Sequence, residues 1–165
     1  MCEYREAAYI LSSVRAEEMV GNKMLDIKIV YHDKNMPKLE KIDTGDWIDL
    51  RASVGGYFMA GDFALVDLGV SMKLPDGYEA HIAPRSSTFK NWGIIQTNSV
   101  GVIDNSYSGT NDVWKMPCYF TRNTKINPGD RICQFRLVRK METPTFTEVD
   151  KLNDVDRSGF GSTGV

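Results

Sequence analysis

The sequence predicts an all-β fold, a β-barrel of the jelly-roll type, and three observations support this prediction. Short runs rich in β-branched and aromatic residues recur along the chain. Turn signals that contain glycine or proline separate these runs, at 55–56, 75–77 and 127–130. The 165 residues suffice for one domain with an ordinary core. Many short antiparallel strands of this kind close into barrels or jelly rolls, whose functional residues lie on turns at strand ends.

The predicted strands follow one another from residue 24 onward. Leu25, Ile27 and Ile29 alternate with Asp26 and Lys28, at the period of two that is typical of a half-buried strand. Further strands are predicted at 63–74, 78–83, 93–96, 113–121 and 131–139. A shorter strand is expected at 101–103, where apolar residues precede a turn with polar side chains.

The two ends of the chain differ from this pattern. Apolar residues recur near the N-terminus at spacings of three and four, which is typical of an amphipathic helix. They are Tyr4, Ala7, Ala8, Leu11 and Val14. The last residues are too rich in glycine for a stable strand or helix. We therefore expect a helical extension at 1–23, a barrel domain at 24–150 and a glycine-rich arm at 151–165.

Composition argues against several classes of function. A net charge of −2 and a pI near 5.7 leave no broad basic surface, so we expect no nucleic acid and no membrane as partners. No stretch is apolar enough to span a bilayer, and the first residues lack the basic start of an export signal, so we expect a cytoplasmic protein. Cys2, Cys118 and Cys133 form no CxxC pair, which argues against a disulfide framework and a zinc site.

The first candidate site is the run Pro84-Arg85-Ser86-Ser87, which follows a predicted strand. One guanidinium, two hydroxyls and the amides of a turn are suited to binding a single anion, such as a phosphate. The alternative is that the hydroxyls only cap the next turn.

The second candidate site is the run 101–109, in which a short apolar strand leads into a turn. The turn presents the carboxylate of Asp104 and the ring of Tyr107, three residues apart. Such a carboxylate can orient and deprotonate a water molecule. The alternative is a turn-forming aspartate beside a packed tyrosine.

The third candidate site is the C-terminal run 157–164. Its glycines leave backbone amides accessible, its Ser162 and Thr163 carry hydroxyls, and Arg157 adds a positive charge. These groups suit a polyphosphate, and Phe160 suits stacking on a base. A flexible tail without a ligand is the alternative.

Taken together and in this order, five segments resemble the five motifs of the trimeric dUTPase family. They lie at 45–52, 84–87, 101–109, 129–135 and 157–164, and the resemblance extends from about Leu25 to the C-terminus. It implies a homotrimer of jelly-roll barrels with exchanged C-terminal arms. It also implies a magnesium-dependent enzyme that hydrolyses dUTP to dUMP and pyrophosphate, which keeps uracil out of DNA and supplies dUMP for thymidylate synthesis.

The resemblance assigns roles around the nucleoside. Asp104 would be catalytic, positioning and activating the water that attacks the α-phosphorus. Tyr107 would pack under the deoxyribose and leave no room for a 2′-hydroxyl. The uracil edge would be bound by Asn98 and by the hairpin backbone that follows it, at Gly101, Val102 and Ile103.

The resemblance also assigns the phosphate contacts. The phosphate chain would be bound by Arg85, Ser86, Ser87 and Gln134. Mg²⁺ would be held mainly by triphosphate oxygens, with Asp49 reaching it through water. The C-terminal arm would close over the nucleotide of a neighbouring subunit. Its contacts would come from Arg157, Phe160, Gly161, Ser162 and Thr163.

Three positions depart from the family pattern. Thr110 stands where an acidic residue commonly follows the third motif, and Ser87 stands where many members have glycine. Trp47 and Ile48 precede Asp49 in place of a small, glycine-containing approach. These departures bear on single contacts and leave the order of the five motifs intact.

Two other functions are alternatives to dUTP hydrolysis. A dCTP deaminase shares the fold, but it requires a glutamate on the strand after the nucleotide hairpin, and 113–122 contains none. A regulatory module that binds a partner protein is the second, and residues 1–23 would be its candidate contact. Sequence alone leaves this second alternative open.

Overall fold

The computed structural model describes residues 24–152, and they confirm the all-β prediction. The strands are β1 (Lys28–Tyr31), β2 (Ile48–Arg51), β3 (Gly56–Phe58), β4 (Phe63–Asp67), β5 (Val70–Lys73), β6 (Tyr78–Pro84), β7 (Ile94–Gln96), β8 (Gly101–Ile103), β9 (Lys115–Phe120), β10 (Thr124–Ile126) and β11 (Arg131–Arg139). One short helix, α1 (Thr88–Trp92), lies between β6 and β7. The helix predicted in 1–23 and most of the predicted arm lie outside the described residues. No helix within 24–152 is long and apolar enough to cross a membrane.

The strands pair in antiparallel fashion into small sheets. A four-stranded sheet has the order β2-β11-β6-β8, and a three-stranded sheet has the order β4-β9-β7. Two further pairs are β1 with β5 and β3 with β10. The long strand β11 lies between β2 and β6, so residues distant in sequence become neighbours there. This placement determines where the candidate site forms.

The core joins the two larger sheets through aromatic side chains. Trp114 meets Phe135 of β11 edge to face, with ring centroids 5.3 Å apart. Phe120 of β9 stacks on Phe58 of β3 at 4.2 Å. Burial of a large apolar side chain contributes about 1.5–3 kcal/mol relative to exposure. Trp114, Phe120, Phe135 and Cys133 are fully or almost fully buried.

The single strand predicted at 63–74 is wrong. The structure has two strands there, β4 and β5, which belong to different sheets. The chain turns at Gly69, whose φ of +67° lies in the left-handed region that favours glycine. Asp67 stabilises the turn, because its Oδ1 accepts hydrogen bonds from the Gly69 amide at 2.7 Å and from Ser53 Oγ at 2.8 Å.

Two other local predictions also differ from the structure. The glycines at 55–56 predicted a turn, but Gly56 is already the first residue of strand β3. The segment after Pro84 contains α1, which the turn-like composition of 84–90 did not indicate. Pro75-Asp76-Gly77 and Asn127-Pro128-Gly129-Asp130 are turns as predicted.

Replacement of Gly69 by alanine should lower the free energy of unfolding by about 2–4 kcal/mol. A β-carbon at this position would lie 2.7 Å from Ser53 Cβ, and the left-handed backbone adds strain. Urea unfolding at one fixed protein concentration measures the loss. Gly61→Ala is the matched control, because Gly61 has a φ of +94° but open space around it. Equal losses in the two variants would contradict the steric part of this explanation.

Candidate active site

A cluster of one carboxylate and two guanidinium groups lies on the four-stranded sheet. Asp49 of β2 binds Arg85 Nε through Oδ1 at 2.6 Å and Arg131 Nη1 through Oδ2 at 3.0 Å. Gln134 of β11 pairs with Asp49 of β2 on one side and with Ala83 of β6 on the other. The cluster carries a net positive charge, and each guanidinium has further N–H groups beyond those that bind Asp49. It is therefore suited to binding an anion such as a phosphate.

The turn 85–87 is fixed to the sheet by Thr88, which is not among the site residues predicted from the sequence. Buried Thr88 accepts a hydrogen bond from the Arg85 amide at 2.9 Å and donates one to Ile132 O at 2.8 Å. Ser87 has φ −92° and ψ −7°, an ordinary conformation, and its side chain makes no capping bond to α1. The structure thus gives no support for capping by Ser87, and serine is compatible with the backbone where many family members have glycine.

Asp104 lies in an exposed turn that follows β8. Its Oδ1 accepts hydrogen bonds from Ser106 Oγ at 2.6 Å and from the Ser106 amide at 2.7 Å. The Ser106 hydroxyl, then the Ser106 amide and to a lesser degree Lys140 lower the pKa of Asp104 below its usual value. The carboxylate is therefore ionised at neutral pH. None of the hydrogen bonds in the described part of the chain uses Oδ2, which leaves this oxygen for a water molecule.

Tyr107 lies on the same turn, and its amide donates to Asp104 O at 3.1 Å. Its side chain is 43% exposed, and its hydroxyl makes only a long contact of 3.5 Å to Val113 O. The ring is thus presented at the surface, on the same turn as the Asp104 carboxylate. Asp112 stabilises the turn behind it by accepting the Gly109 amide at 2.6 Å, so an acidic group is present two residues after Thr110.

A loop at 97–100 joins β7 to β8 and carries Asn98 at its exposed surface. Gly101 begins β8 opposite Ile82. A β-carbon on Gly101 would lie 3.2 Å from Ile82 Cβ and 3.5 Å from Asn98 Nδ2, so β8 packs closely against β6 and the loop at this position. Val102 of β8 is exposed and Ile103 is half-buried.

The two groups of candidate residues lie at opposite ends of β6. Ile103, next to Asp104, pairs with Ala80 near the start of β6, whereas Arg85 follows the end of this strand. The five positions from Ala80 to Arg85 correspond to about 16 Å of extended chain. A single chain therefore does not bring Asp104 to Arg85. The predicted arm residues Arg157, Phe160, Gly161, Ser162 and Thr163 lie outside the described residues.

The described residues offer little direct coordination to a metal ion. Within 24–152 no group of three or more His, Cys, Asp or Glu side chains is arranged around a common point. Both oxygens of Asp49 already bind guanidinium groups, which disfavours its direct coordination to a metal. These residues fit a metal ion that is coordinated mainly by the phosphate oxygens of a ligand and by water.

Three residues that organise these sites are not among the site residues predicted from the sequence. Arg131 completes the anion cluster, Thr88 fixes the turn 85–87, and Ser106 binds Asp104. Arg131 lies within the fourth motif and Ser106 within the third, so both motifs contained the signal. Thr88 is recognisable only once β11 is seen beside it, because its acceptor Ile132 lies far away in sequence.

The fold and the two groups of candidate residues define a β-barrel protein with a positively charged cluster beyond one end of β6 and an exposed, ionised aspartate near the other. Comparison with known proteins gives the family. The dUTPase family pattern matches residues 47–164. The prophage-derived deoxyuridine 5′-triphosphate nucleotidohydrolase YosS of Bacillus subtilis is 56% identical over 140 residues, which cover 85% of this chain and 99% of the relative. The chain belongs to the dUTPase family, and this confirms the resemblance found in the five motifs.

Two further comparisons agree with this assignment. The deoxyuridine 5′-triphosphate nucleotidohydrolase of Finegoldia magna is 35% identical over 147 residues, covering 85% of this chain and 99% of the relative. Among solved structures, the dUTPase of Staphylococcus bacteriophage 80alpha, as a G164S mutant with dUpNHpp, superposes with a TM-score of 0.70. It is 19% identical, and the match covers 85% of this chain and 99% of the phage chain. At this identity the likeness shows the fold.

Proposed function

We propose that this chain hydrolyses dUTP to dUMP and pyrophosphate by attack of water on the α-phosphorus. The observation that carries the proposal is the ionised, exposed carboxylate of Asp104 beside the half-exposed ring of Tyr107, in a chain of the dUTPase family. This activity would limit uracil in DNA and supply dUMP for thymidylate synthesis.

Asp104 is proposed to position and deprotonate the attacking water. Ser106 binds one carboxylate oxygen and so fixes the direction of the other, which is the oxygen left for water. The lowered pKa keeps the carboxylate ionised, while the same bonds make it a weaker base. Precise positioning, more than high basicity, is therefore its contribution to the rate.

Tyr107 is proposed to select the sugar. An aromatic ring packed against C2′ of deoxyribose leaves no space or hydrogen-bond partner for a 2′-hydroxyl. The exposed ring on a turn that is tied down by Asp104 O and Asp112 supports this role. UTP would therefore be a poor substrate.

Arg85, Ser86, Ser87 and Gln134 are proposed to bind the phosphate chain. Their position around a cluster of net positive charge supports this. Mg²⁺ would supply charge neutralisation on the phosphates, with Asp49 contacting its hydration shell. The neighbour from phage phi11 of S. aureus is described with a structural Mg(II) ion, which supports a divalent metal in this fold. In this proposal Asp49 also holds Arg85 and Arg131 in place for the incoming phosphates.

A homotrimer is proposed as the active form, with each site shared between subunits. Two observations support it. Asp104 and Arg85 lie at opposite ends of β6, which favours a site in which the two residues come from different chains. After β11 the described segment 140–152 contains no helix or strand, and it exposes Met141, Phe146 at 91% and Leu152. Such apolar side chains fit a segment that packs on a neighbouring subunit and leads to the predicted arm at 151–165.

The first test is pyrophosphate release with Mg²⁺ from dUTP, dCTP, UTP and dTTP in parallel, with ammonia measured in the dCTP reaction. We expect turnover of dUTP, and rates at least ~10²-fold lower with the other three. Ammonia from dCTP would instead indicate a deaminase, although β9 contains no glutamate for that reaction. No turnover of any nucleotide would contradict the proposed hydrolysis and favour a regulatory role.

A further inference from the structure

Gln96, at the end of β7, is buried directly beneath the loop that carries Asn98. Its side chain is only 5% exposed, whereas Asn98 is exposed. The Gln96 Nε2 donates to Ile82 O at 3.0 Å and to Asn98 Oδ1 at 3.0 Å, and it lies 3.5 Å from Ser99 O. One buried amide thus connects β6, the loop and the side chain of Asn98.

The orientation of the Gln96 amide follows from its main-chain partners. Carbonyl oxygens only accept hydrogen bonds, so the oxygens of Ile82 and Ser99 require the nitrogen of Gln96 to face them. The reversed orientation would place Gln96 Oε1 against two carbonyl oxygens. The observed orientation is adopted even though Oε1 has no hydrogen-bond partner within the described chain.

The orientation of the Gln96 side-chain amide determines the orientation of the Asn98 side-chain amide. Because Gln96 presents a donor, Asn98 must turn its Oδ1 toward it. The Nδ2 amine of Asn98 is then the group that remains for a ligand at the loop. The carbonyl of Ile82, with a longer contact to Ser99 O, therefore sets through Gln96 which end of the Asn98 amide is left for a ligand.

We propose that Gln96 is a positioning residue that sets the preference for uracil over cytosine. This inference rests on the proposed function, in which the loop at 97–100 binds the base. Uracil has a carbonyl oxygen at C4, which accepts a hydrogen bond, whereas cytosine has an amine there, which donates one. Asn98 with its amine outward pairs with uracil and places donor against donor with cytosine. Gln96 prevents Asn98 from turning over to accept cytosine.

Gln96→Met tests this inference, because methionine has a similar length and no hydrogen-bond donor. The ratio of kcat/KM for dUTP to kcat/KM for dCTP should fall at least ~10-fold, since Asn98 can then turn its oxygen outward. Both substrates are measured on the same sample, so loss of folded protein cancels in the ratio. Ser71→Ala is the matched control: it removes another buried hydrogen bond, to His32, and should leave the ratio unchanged.

A double-mutant cycle shows whether Gln96 acts through Asn98. In an Asn98→Ala background, Gln96→Met should change the ratio no further, because the side chain that it positions is gone. An unchanged ratio in Gln96→Met alone, or the same fall in both backgrounds, would overturn the inference. If the wild-type protein did not hydrolyse dUTP at all, the proposed function itself would fail, and the two failures are thus distinguishable.

The wild-type protein provides a second measurement in case Gln96→Met does not fold. On titration with dUMP, the side-chain NH₂ resonances of Asn98 should shift in NMR spectra, because this amine donates to the uracil oxygen. The NH₂ resonances of Gln96 should show slow exchange with solvent, as a buried donor to Ile82 O does. An unshifted Asn98 amine or a rapidly exchanging Gln96 amine would overturn the inference.

Discussion

Asp104→Asn should lower kcat at least ~10²-fold and leave nucleotide binding nearly unchanged. Asparagine retains an oxygen that can accept the two hydrogen bonds from Ser106, so the turn should keep its conformation. It cannot take a proton from water, because an amide is not a base at neutral pH. Rates of pyrophosphate release measure kcat, and calorimetry with a dUTP analogue whose α- and β-phosphorus are bridged by nitrogen measures affinity.

Asp62→Asn is the matched control for this variant. Asp62 is also an exposed aspartate that accepts a backbone amide in a turn, from Met59 at 2.7 Å, but it lies next to β4 in the other large sheet. Its replacement should leave kcat unchanged. Turnover by Asp104→Asn at the wild-type rate would remove Asp104 from the proposed mechanism.

Arg85→Ala should lower kcat/KM about 10- to 100-fold, the scale of a lost hydrogen bond to a charged group. The change removes the proposed phosphate contact and also frees Asp49 from one of its two arginines. Steady-state kinetics with dUTP measure this effect. Arg136→Ala is the control, because Arg136 forms a similar ion pair at 3.0 Å with Asp46 on the same sheet, away from the cluster. A comparable fall in this control would indicate a general effect of charge.

Mixing the two impaired variants, Asp104→Asn and Arg85→Ala, tests whether a site is shared. If Asp104 and Arg85 come from different subunits, trimers reassembled from equal amounts of Asp104→Asn and Arg85→Ala chains contain sites with both residues intact. With random reassembly, about a quarter of the sites combine the two intact residues. Activity should therefore recover on mixing after partial denaturation and refolding. No recovery would contradict the shared site.

Local patterns predicted the strands that are bounded by clear turns. The strand at 131–139 is β11 as observed, and the strand at 78–83 is β6 to within one residue. The error at 63–74 has a local cause, the left-handed turn at Gly69, which the apolar residues on both sides conceal. Strands β3 and β10 have three residues each, which is too short for a periodic sequence pattern to reveal them. Their stability comes from pairing with each other.

The order and spacing of the motifs identified the candidate residues. They did not predict which of these residues lie close together in the structure. Asp49, Arg85 and Arg131 are far apart in sequence, and they meet only because β11 lies between β2 and β6. The partner of Asp104 was hidden for a different reason, since Ser106 is an ordinary turn residue whose hydroxyl acts only in the folded geometry. The contacts of these residues with substrate remain predictions.

The placement of Asp104 and Arg85 at opposite ends of β6 has a consequence inside a cell. If the site is shared between subunits as proposed, a newly synthesised chain would be inactive until it met its partners. Activity would then depend on the amount of assembled trimer and not on the amount of chain made. At very low expression the rate of dUTP removal would rise more steeply than the concentration of chains.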